Sequence, residues 1–305
     1  MLKIILTRLV QGIVTLFVLL TITFVLVRLM PGSPFTEERA LPPHVEKQMM
    51  ERFALDKPVP VQYGKYLSNL VLKQDLGVMI KRERTVMDII SQSFPVSLSL
   101  GIASIGIAIL VGIPIGVISA VKKNTWIDYG SLTLAMLGIC LPSFVIGPLL
   151  AIIGGLGFKS LNVAGWNSPT DWILPAITLG MVNAAYIARL ARGGMLDVLS
   201  QDYVRTAHAK GVPLKTIIWK HTLRGGLLPS VSFLGPAFAA MISGSFVIET
   251  IFQVPGMGQH FINAANDREY FLIQGLVLFY GFLIVVANLL VDLAQIALNP
   301  RLRNA

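Results

Sequence analysis

IISQSFPVSLSLGIASIGIAILVGIPIGVISAV, residues 89–121, contains no charged side chain. A helix crosses the hydrocarbon of a bilayer with about 20 apolar residues, so this run spans with turns to spare. Five more charge-free runs follow the same logic: Leu9–Val27, Tyr129–Phe158, Trp172–Ala188, Gly225–Ile248 and Tyr270–Val291. Six spans is the simplest reading. Composition agrees, since 54% of the 305 residues are hydrophobic and only 13% charged. Soluble domains carry about 25% charged residues. The fold class that follows is an all-α polytopic membrane protein. The first run is longer than a signal-peptide core, and no small-residue cleavage site follows at Pro31-Gly32-Ser33-Pro34, so it is expected to be retained.

Charge sets the orientation. With the N-terminus in the cytoplasm, the inner side holds Lys3, Arg8, Lys122, Lys123, Arg189, Arg192, the five Lys and Arg of 205–224, Arg301 and Arg303. Only Asp128, Asp197, Asp202 and Asp292 oppose them, so the whole formal charge of +9 falls inside. The short outer loops near 159–170 and 250–269 carry only Lys159 and Arg268. Basic residues in short loops stay on the cytoplasmic side, which gives an N-in, C-in topology. The basic residues are not interleaved with aromatics on a polar domain, so no nucleic-acid partner is expected.

The outer segment between the first two spans is too long for a simple connection. In PPHVEKQMMERFAL (42–55), Val45, Met49, Met50 and Phe53 recur near helical spacing behind a proline, and YGKYLSNLVL (63–72) reads similarly. The expected organisation is therefore an N-terminal span (1–30), an extracytoplasmic helical subdomain (31–94) and a five-helix core (95–305). The subdomain serves equally well as a cap on span ends or as a docking surface.

Helix breakers recur in the spans: Gly101, Gly106, Gly112, Pro114 and Gly116 in the second, Gly138, Pro142, Gly147 and Pro148 in the third, Gly235, Pro236 and Gly244 in the fifth. Glycine lets helices approach closely and proline frees carbonyls and bends the axis. Ordinary packing accounts for any one of them; together they favour a bundle that bends or rocks. No acid is expected at mid-depth. Arg28, Arg189, Asp292 and Glu249 sit near span ends, where side chains snorkel or reach water. Buried ionisable groups and paired broken half-helices, the marks of an ion-coupled carrier, are not evident. Asn183, Ser243, Ser245 and Glu249 are the candidate pathway residues, and helix-to-helix bonding explains the small ones equally well.

Enzymatic readings fail. There is no GxxxxGK[ST], HExxH or GxSxG motif, and His44, His208, His221 and His260 fall on both sides of the membrane. The single cysteine, Cys140, lies in an apolar run and excludes a disulfide framework; a small packing residue is the expectation. No catalytic, cofactor or metal residue is assigned.

RTAHAKGVPLKTIIWKHTLR (205–224) interrupts this apolar chain with five lysines and arginines, two histidines and no acid. MLDVLSQDYVRTAHAKG (195–211) reads as one helix, with Leu196, Leu199, Tyr203 and Ala207 at three and four and Gly211 as its stop. Pro213 fits the first turn of a second helix, with Leu214, Ile217, Ile218 and Leu223 on its apolar side. Two short helices around Gly211 and Pro213 make a knob. Periodicity and charge fit both a lysine-rich pair on anionic lipid and a lever between subunits.

RTAHAKG followed by PLKTIIWKHTLR and Leu227-Leu228-Pro229 resembles the cytoplasmic loop of ABC-importer membrane subunits. That family's general form is Glu-Ala-Ala, three residues, Gly, nine residues, Ile-x-Leu-Pro. With the glycine set on Gly211, this chain lacks the Glu and its Leu228-Pro229 pair comes later, departures that resemble the peptide-permease branch. LVRLMPGSPFTEERALPP (26–43) and FVIETIFQVPGMGQHFINAANDREY (246–270) are similar to the first- and fifth-span exits of the B-type subunits of oligopeptide permeases. The likeness runs from Met1 to NPRLR (299–303).

The resemblance implies the ABC-importer permease fold in a bacterial inner membrane. It implies, as partners, a second homologous permease, two cytoplasmic ATPase subunits carrying ATP and Mg, an extracytoplasmic peptide-binding protein, a peptide substrate and the bilayer. It also implies that Arg205, Thr206, Ala207, His208, Ala209, Lys210, Gly211, Val212 and Pro213 seat in the ATPase, with Ala207, Ala209 and Gly211 packing closely and Arg205 and Lys210 pairing with acids there. Dipeptides, glutathione or nickel complexes are alternative cargoes. A secondary transporter or channel working alone is the alternative of another class, and a scaffold or anchor is a third.

Overall fold

The computed structural model describes residues 2–31, 35, 43–81, 84–157 and 161–298. NPRLR, Lys159, Arg301 and Arg303 lie outside the described residues, as does most of the 32–42 part of the first-span exit. The helices are α1 (Leu2–Leu29), α2 (Pro43–Arg52), α3 (Val59–Lys73), α4 (Val86–Val121), α5 (Trp126–Cys140), α6 (Ser143–Gly157), α7 (Ile173–Leu199), α8 (Asp202–Ala209), α9 (Leu214–Gly226), α10 (Leu228–Gly244), α11 (Phe246–Ile251), α12 (Met257–Asp267) and α13 (Tyr270–Leu298). One isolated bridge, Val78 to Thr85, is the only β pairing among the described residues.

Four helical segments are long and apolar enough to cross a membrane singly: Leu6–Leu29, Val86–Val121, Pro169–Leu199 and Tyr270–Gln295. The remaining two expected spans are broken. α5 and α6 meet at 105°, and α9 meets α10 at 50°. The first break falls at Leu141-Pro142, where Leu141 has ψ 118. A residue before proline is driven out of the helical region by the pyrrolidine ring, and so α5 stops there. Pro95, Pro114, Pro148 and Pro236, by contrast, sit inside continuing helices. Broken spans therefore do exist here, and their supposed absence is no argument against a self-powered carrier.

α4 is 36 residues long, roughly 54 Å at 1.5 Å per residue, well beyond the ~30 Å of hydrocarbon. Its surplus lies at its start, where Thr85 and Asp88 form a reciprocal capping box. The helix thus begins at Val86, inside the segment expected to belong to the outer subdomain.

α4 packs on α7 at backbone distance. A β-carbon at Gly112 would stand 2.6 Å from the Ala184 carbonyl, one at Gly180 2.8 Å from the Ser104 carbonyl, and one at Gly116 2.7 Å from Ala191 Cβ. Real β-carbons do not tolerate such distances, so glycine is what permits this close pairing. α13 lies between α1, through Gly12 and Val285, and α10, through Gly235 and Val291. Outward faces stay apolar: Ile13, Leu110, Leu134 and Leu290 are among many exposed side chains suited to lipid or a partner helix. Cys140 is exposed too, beside the break at Pro142, and is not the buried packing residue expected.

At the far end from the N-terminus, Met49 and Met50 of α2 and Phe53 just beyond it pack with Val86, Ile89, Met257, Leu272 and Leu276 into one apolar cluster. Arg28 does not snorkel. Its guanidinium lies 5.0 Å from the Phe24 ring and 4.6 Å from the Tyr270 ring, and its Nε donates to Gln62 Oε1 at 2.8 Å. Glu269, almost fully buried, accepts the backbone N–H groups of Ile80 at 2.6 Å and Lys81 at 2.7 Å. Burial pushes its carboxyl above the ordinary glutamate value, against the pull of those two donors.

Candidate functional site

The basic segment forms a knob, but not with the expected helix boundaries. α7 runs unbroken to Leu199, and Ser200 and Gln201 separate it from α8. The 195–211 stretch is therefore the end of a span plus a separate helix. Gln201, extended at ψ 148, supplies the break.

α8 ends as the sequence requires. Gly211 has φ +77, a left-handed conformation that costs a residue with a β-carbon about 1–2 kcal/mol. The Gly211 N–H donates to the His208 carbonyl at 3.0 Å and the Val212 N–H to Ala207 at 3.1 Å, the paired bonds of a Schellman stop. Pro213, at φ −57 and ψ 139, caps α9 from outside instead of occupying its first turn. Within α9, Ile217 is buried and Leu214 exposed, and Ile217–Thr222 is a π-helical stretch.

One side chain packs inward and one bond ties the two arms of the knob together. Val204 is buried, and Tyr203 Oη donates to the His221 carbonyl at 3.1 Å. The rest faces outward: Arg205, Thr206, His208, Ala209, Lys210, Gly211 and Pro213 are exposed, with Ala207 and Val212 half-buried. Among the described residues Arg205 pairs with Asp202, at 3.8 Å on open surface. A β-carbon at Gly211 would meet nothing within 4 Å. The chain itself leaves that small-residue tip open.

The pathway candidates do not converge. Asn183 is half-buried and donates to the Leu179 carbonyl of its own helix at 3.0 Å. The Ser243 side chain is outside the described residues. Ser245 and Glu249 do meet, fully enclosed: Glu249 Oε1 accepts Ser245 Oγ at 2.5 Å and Ser97 Oγ at 2.9 Å, and Oε2 accepts the Gly258 N–H at 2.8 Å. Ser97 Oγ in turn accepts the Met257 N–H at 2.9 Å. Glu249 has no exposed surface, so the expectation that it reaches water at a span end is corrected. α11 and the 252–258 turn fold over it.

Pro255-Gly256-Met257-Gly258 is shaped to this carboxylate. A β-carbon on Gly256 would lie 2.5 Å from Glu249 Cδ, and one on Gly258 2.8 Å from Glu249 Oε2. A buried carboxylate is tolerated only when donors surround it. Sequence reading missed Ser97, Gly256 and Gly258; the available signal was a lone acid followed within ten residues by two glycines.

It also missed Asp128. This side chain is fully buried and Arg192 grips it with two bonds, Nε to Oδ1 at 2.6 Å and Nη2 to Oδ2 at 2.8 Å. Among the described residues no group of three or more His, Cys, Asp or Glu is placed to hold a metal ion.

Two family profiles match the sequence. Residues 112–304 match the binding-protein-dependent transport system inner membrane component, and residues 1–101 match the N-terminal component of such membrane proteins. The chain is 44% identical to the oligopeptide transport system permease protein OppB of Salmonella typhimurium, over 99% of this chain and 100% of that one. It is 42% identical to the dipeptide transport system permease protein DppB of Bacillus subtilis, over 95% and 94%. It is 36% identical to the glutathione transport system permease protein GsiC of Pectobacterium atrosepticum, over 99% of each. Among solved structures, the inward-facing MetNI methionine ABC transporter aligns with a TM-score of 0.57 at 14% identity, over 70% of this chain and 97% of that one. An amino acid ABC transporter with histidines aligns at 0.53 and 16%, over 68% and 94%. These two likenesses establish the fold.

Proposed function

This chain belongs to the binding-protein-dependent transport system inner membrane component family, and from that footing we propose that it forms half of the membrane pathway of an ATP-driven oligopeptide importer. The observation that carries the substrate class is 44% identity to an oligopeptide permease along the full length of both chains. The chain is a transport subunit and not an enzyme; ATP and Mg belong to separate ATPase subunits. A second homologous permease completes the pathway, and an extracytoplasmic binding protein delivers the peptide. Both termini lie in the cytoplasm of a bacterial cell, in accord with the basic residues at that end of the bundle.

In this reading Arg205–Pro213 is the coupling segment. Its open tip of Ala209, Lys210 and Gly211 admits close approach by an ATPase groove, while Arg205 and Lys210 steer and register the contact more than they add affinity. ATP-driven closure of the two ATPases pushes α8, and the motion turns the cavity outward; hydrolysis and release return it. Glu249 holds the 252–258 turn against α4 near the outer mouth.

Affinity purification in mild detergent tests the assembly. Co-elution of a second permease and two ATPases is expected, and a chain that transports alone after purification would overturn the reading. Dipeptide and glutathione relatives at 42% and 36% identity keep a second cargo in view. Uptake of tri-alanine, di-alanine and glutathione by the reconstituted complex with its binding protein separates them, and preference for either of the latter two would replace the oligopeptide assignment.

A further inference from the structure

Asp128 gathers three parts of the bundle on one carboxylate. Oδ1 accepts Ser119 Oγ, from the end of α4, at 2.6 Å and Arg192 Nε, from α7, at 2.6 Å. Oδ2 accepts the Asn124 N–H, from the turn before α5, at 2.9 Å and Arg192 Nη2 at 2.8 Å. Asp128 itself stands in the first turn of α5. Each oxygen thus carries two donors, and the bidentate guanidinium fixes direction as well as distance.

The position of this knot matters more than its strength. α7 continues from Arg192 to Leu199 without a break, and α8 begins at Asp202. Gly194 of α7 also abuts the Gly226 carbonyl at the end of α9, so α9 rests on the same stretch of α7 that leads into α8. From there along the bundle, α7 and α4 touch at backbone distance through Gly116, Gly112 and Gly180. α5 approaches α7 less closely: a β-carbon at Gly138 would stand 3.1 Å from Ala185 Cβ and 3.9 Å from the Met181 carbonyl, and a groove lined by Ser131, Leu134, Ala135 and Met181 opens beside this contact. α5 leads through the 105° elbow into α6.

We propose that the Asp128–Arg192 pair, braced by Ser119, is the fixed joint that makes the elbowed third span follow the coupling segment. The proposal rests on the coupling reading of Arg205–Pro213. Asp128 and Arg192 are positioning residues in it: they touch no substrate and transmit displacement from α7 to α5. A buried pair replaced on both sides by apolar residues of similar volume often stays stable, whereas removing one partner strands a charge. Asp128→Leu with Arg192→Leu therefore removes the joint without stranding a charge, leaving only Ser119 Oγ and the Asn124 N–H without their acceptor.

The experiment uses the whole complex, with its ATPases and binding protein, reconstituted in liposomes. Spin labels on the native Cys140 of α5 and on Ser200→Cys beyond α7 report the distance between the two helices with and without ATP. In the parent that distance is expected to stay fixed through the nucleotide cycle. In the double leucine variant it is expected to broaden, with ATP hydrolysis continuing and tri-alanine uptake per ATP falling at least ten-fold. Ser119→Ala, which keeps both charges, is expected to lower uptake per ATP three-fold or more and serves if the double variant does not assemble. A parent distance that changes with nucleotide overturns the joint, as does normal uptake per ATP in either variant. Failure of the coupling reading looks different: Gly211→Asp would then leave stimulated hydrolysis intact.

Discussion

Glu249→Ala is the sharpest perturbation of the end far from the coupling knob, because the donors that depend on the carboxylate can be counted. Three donors lose their acceptor: Ser97 Oγ, Ser245 Oγ and the Gly258 N–H. Ser245 has somewhere to turn, since it already sits 3.4 Å from the Ile242 carbonyl. The Gly258 N–H does not rotate and remains unpaired in a buried turn. An orphaned buried donor costs about 1–3 kcal/mol; with ~1.5 for the N–H and ~1 for each hydroxyl, the turn loses about 3.5 kcal/mol. Glu249→Gln keeps one acceptor oxygen and orphans a single donor, for about 1–1.5 kcal/mol. Local opening governs amide exchange, so exchange in 252–258 should accelerate about 10-fold in the Gln variant and roughly 300-fold in the Ala variant. Hydrogen–deuterium exchange with mass spectrometry on the detergent-solubilised complex reads this directly. Exchange in that segment unchanged by the Ala variant, or faster for Gln than for Ala, would show that the carboxylate does not hold the turn.

Other perturbations follow from single contacts. Glu249→Gln is expected to reduce peptide uptake by loosening the 252–258 turn, and normal uptake would show that this anchoring does not matter to transport. Gly211→Asp, or deletion of 205–211, should abolish peptide-stimulated ATP hydrolysis with membrane insertion intact; Gly211→Ala meets nothing within the chain and should cost only the ~1–2 kcal/mol of its positive φ, a much milder defect. Gly116→Leu drives a side chain into α7 and should lower the temperature of aggregation in detergent by several degrees, at about 1–3 kcal/mol of overpacking, while Gly106→Leu, with open space around it, should not. Glu269→Ala strands the Ile80 and Lys81 N–H groups at about 1–3 kcal/mol each and should speed tryptic cleavage after Lys81.

The six apolar runs were legible because lipid makes the same demand on every spanning helix. Their breaks were not. Pro142 ends a helix while Pro95, Pro114, Pro148 and Pro236 do not, and nothing local to a proline says whether neighbours will re-satisfy the carbonyl it frees. The stop at Gly211 was legible, since a Gly-Val-Pro sequence suits a left-handed cap; the break at Ser200-Gln201 has no such marker. Glu249 was visible as a lone acid. Its fate was not, because Ser97 stands 152 residues away and spacing at that range carries no information. Asp128 and Arg192 were each counted only among the inner-side charges, since each lies beside a span end and only the fold shows them facing one another.

The buried pair also constrains how the chain can be made. Asp128 and Arg192 are 64 residues apart, and at roughly 5–20 residues per second of synthesis the acid exists for about 3–13 s before its partner. During that interval α5 carries a carboxylate at its head with no guanidinium to receive it, and the glycine face of α4 has no α7 to close on. A helix in that condition is safer at the water interface than settled in the bilayer. The third span therefore has reason to wait at the membrane surface until the fourth arrives, and a ribosome stalled between residues 128 and 192 should leave α5 open to aqueous thiol reagents at Cys140. Insertion of the middle of this protein is then a paired event, gated by the birth of one arginine.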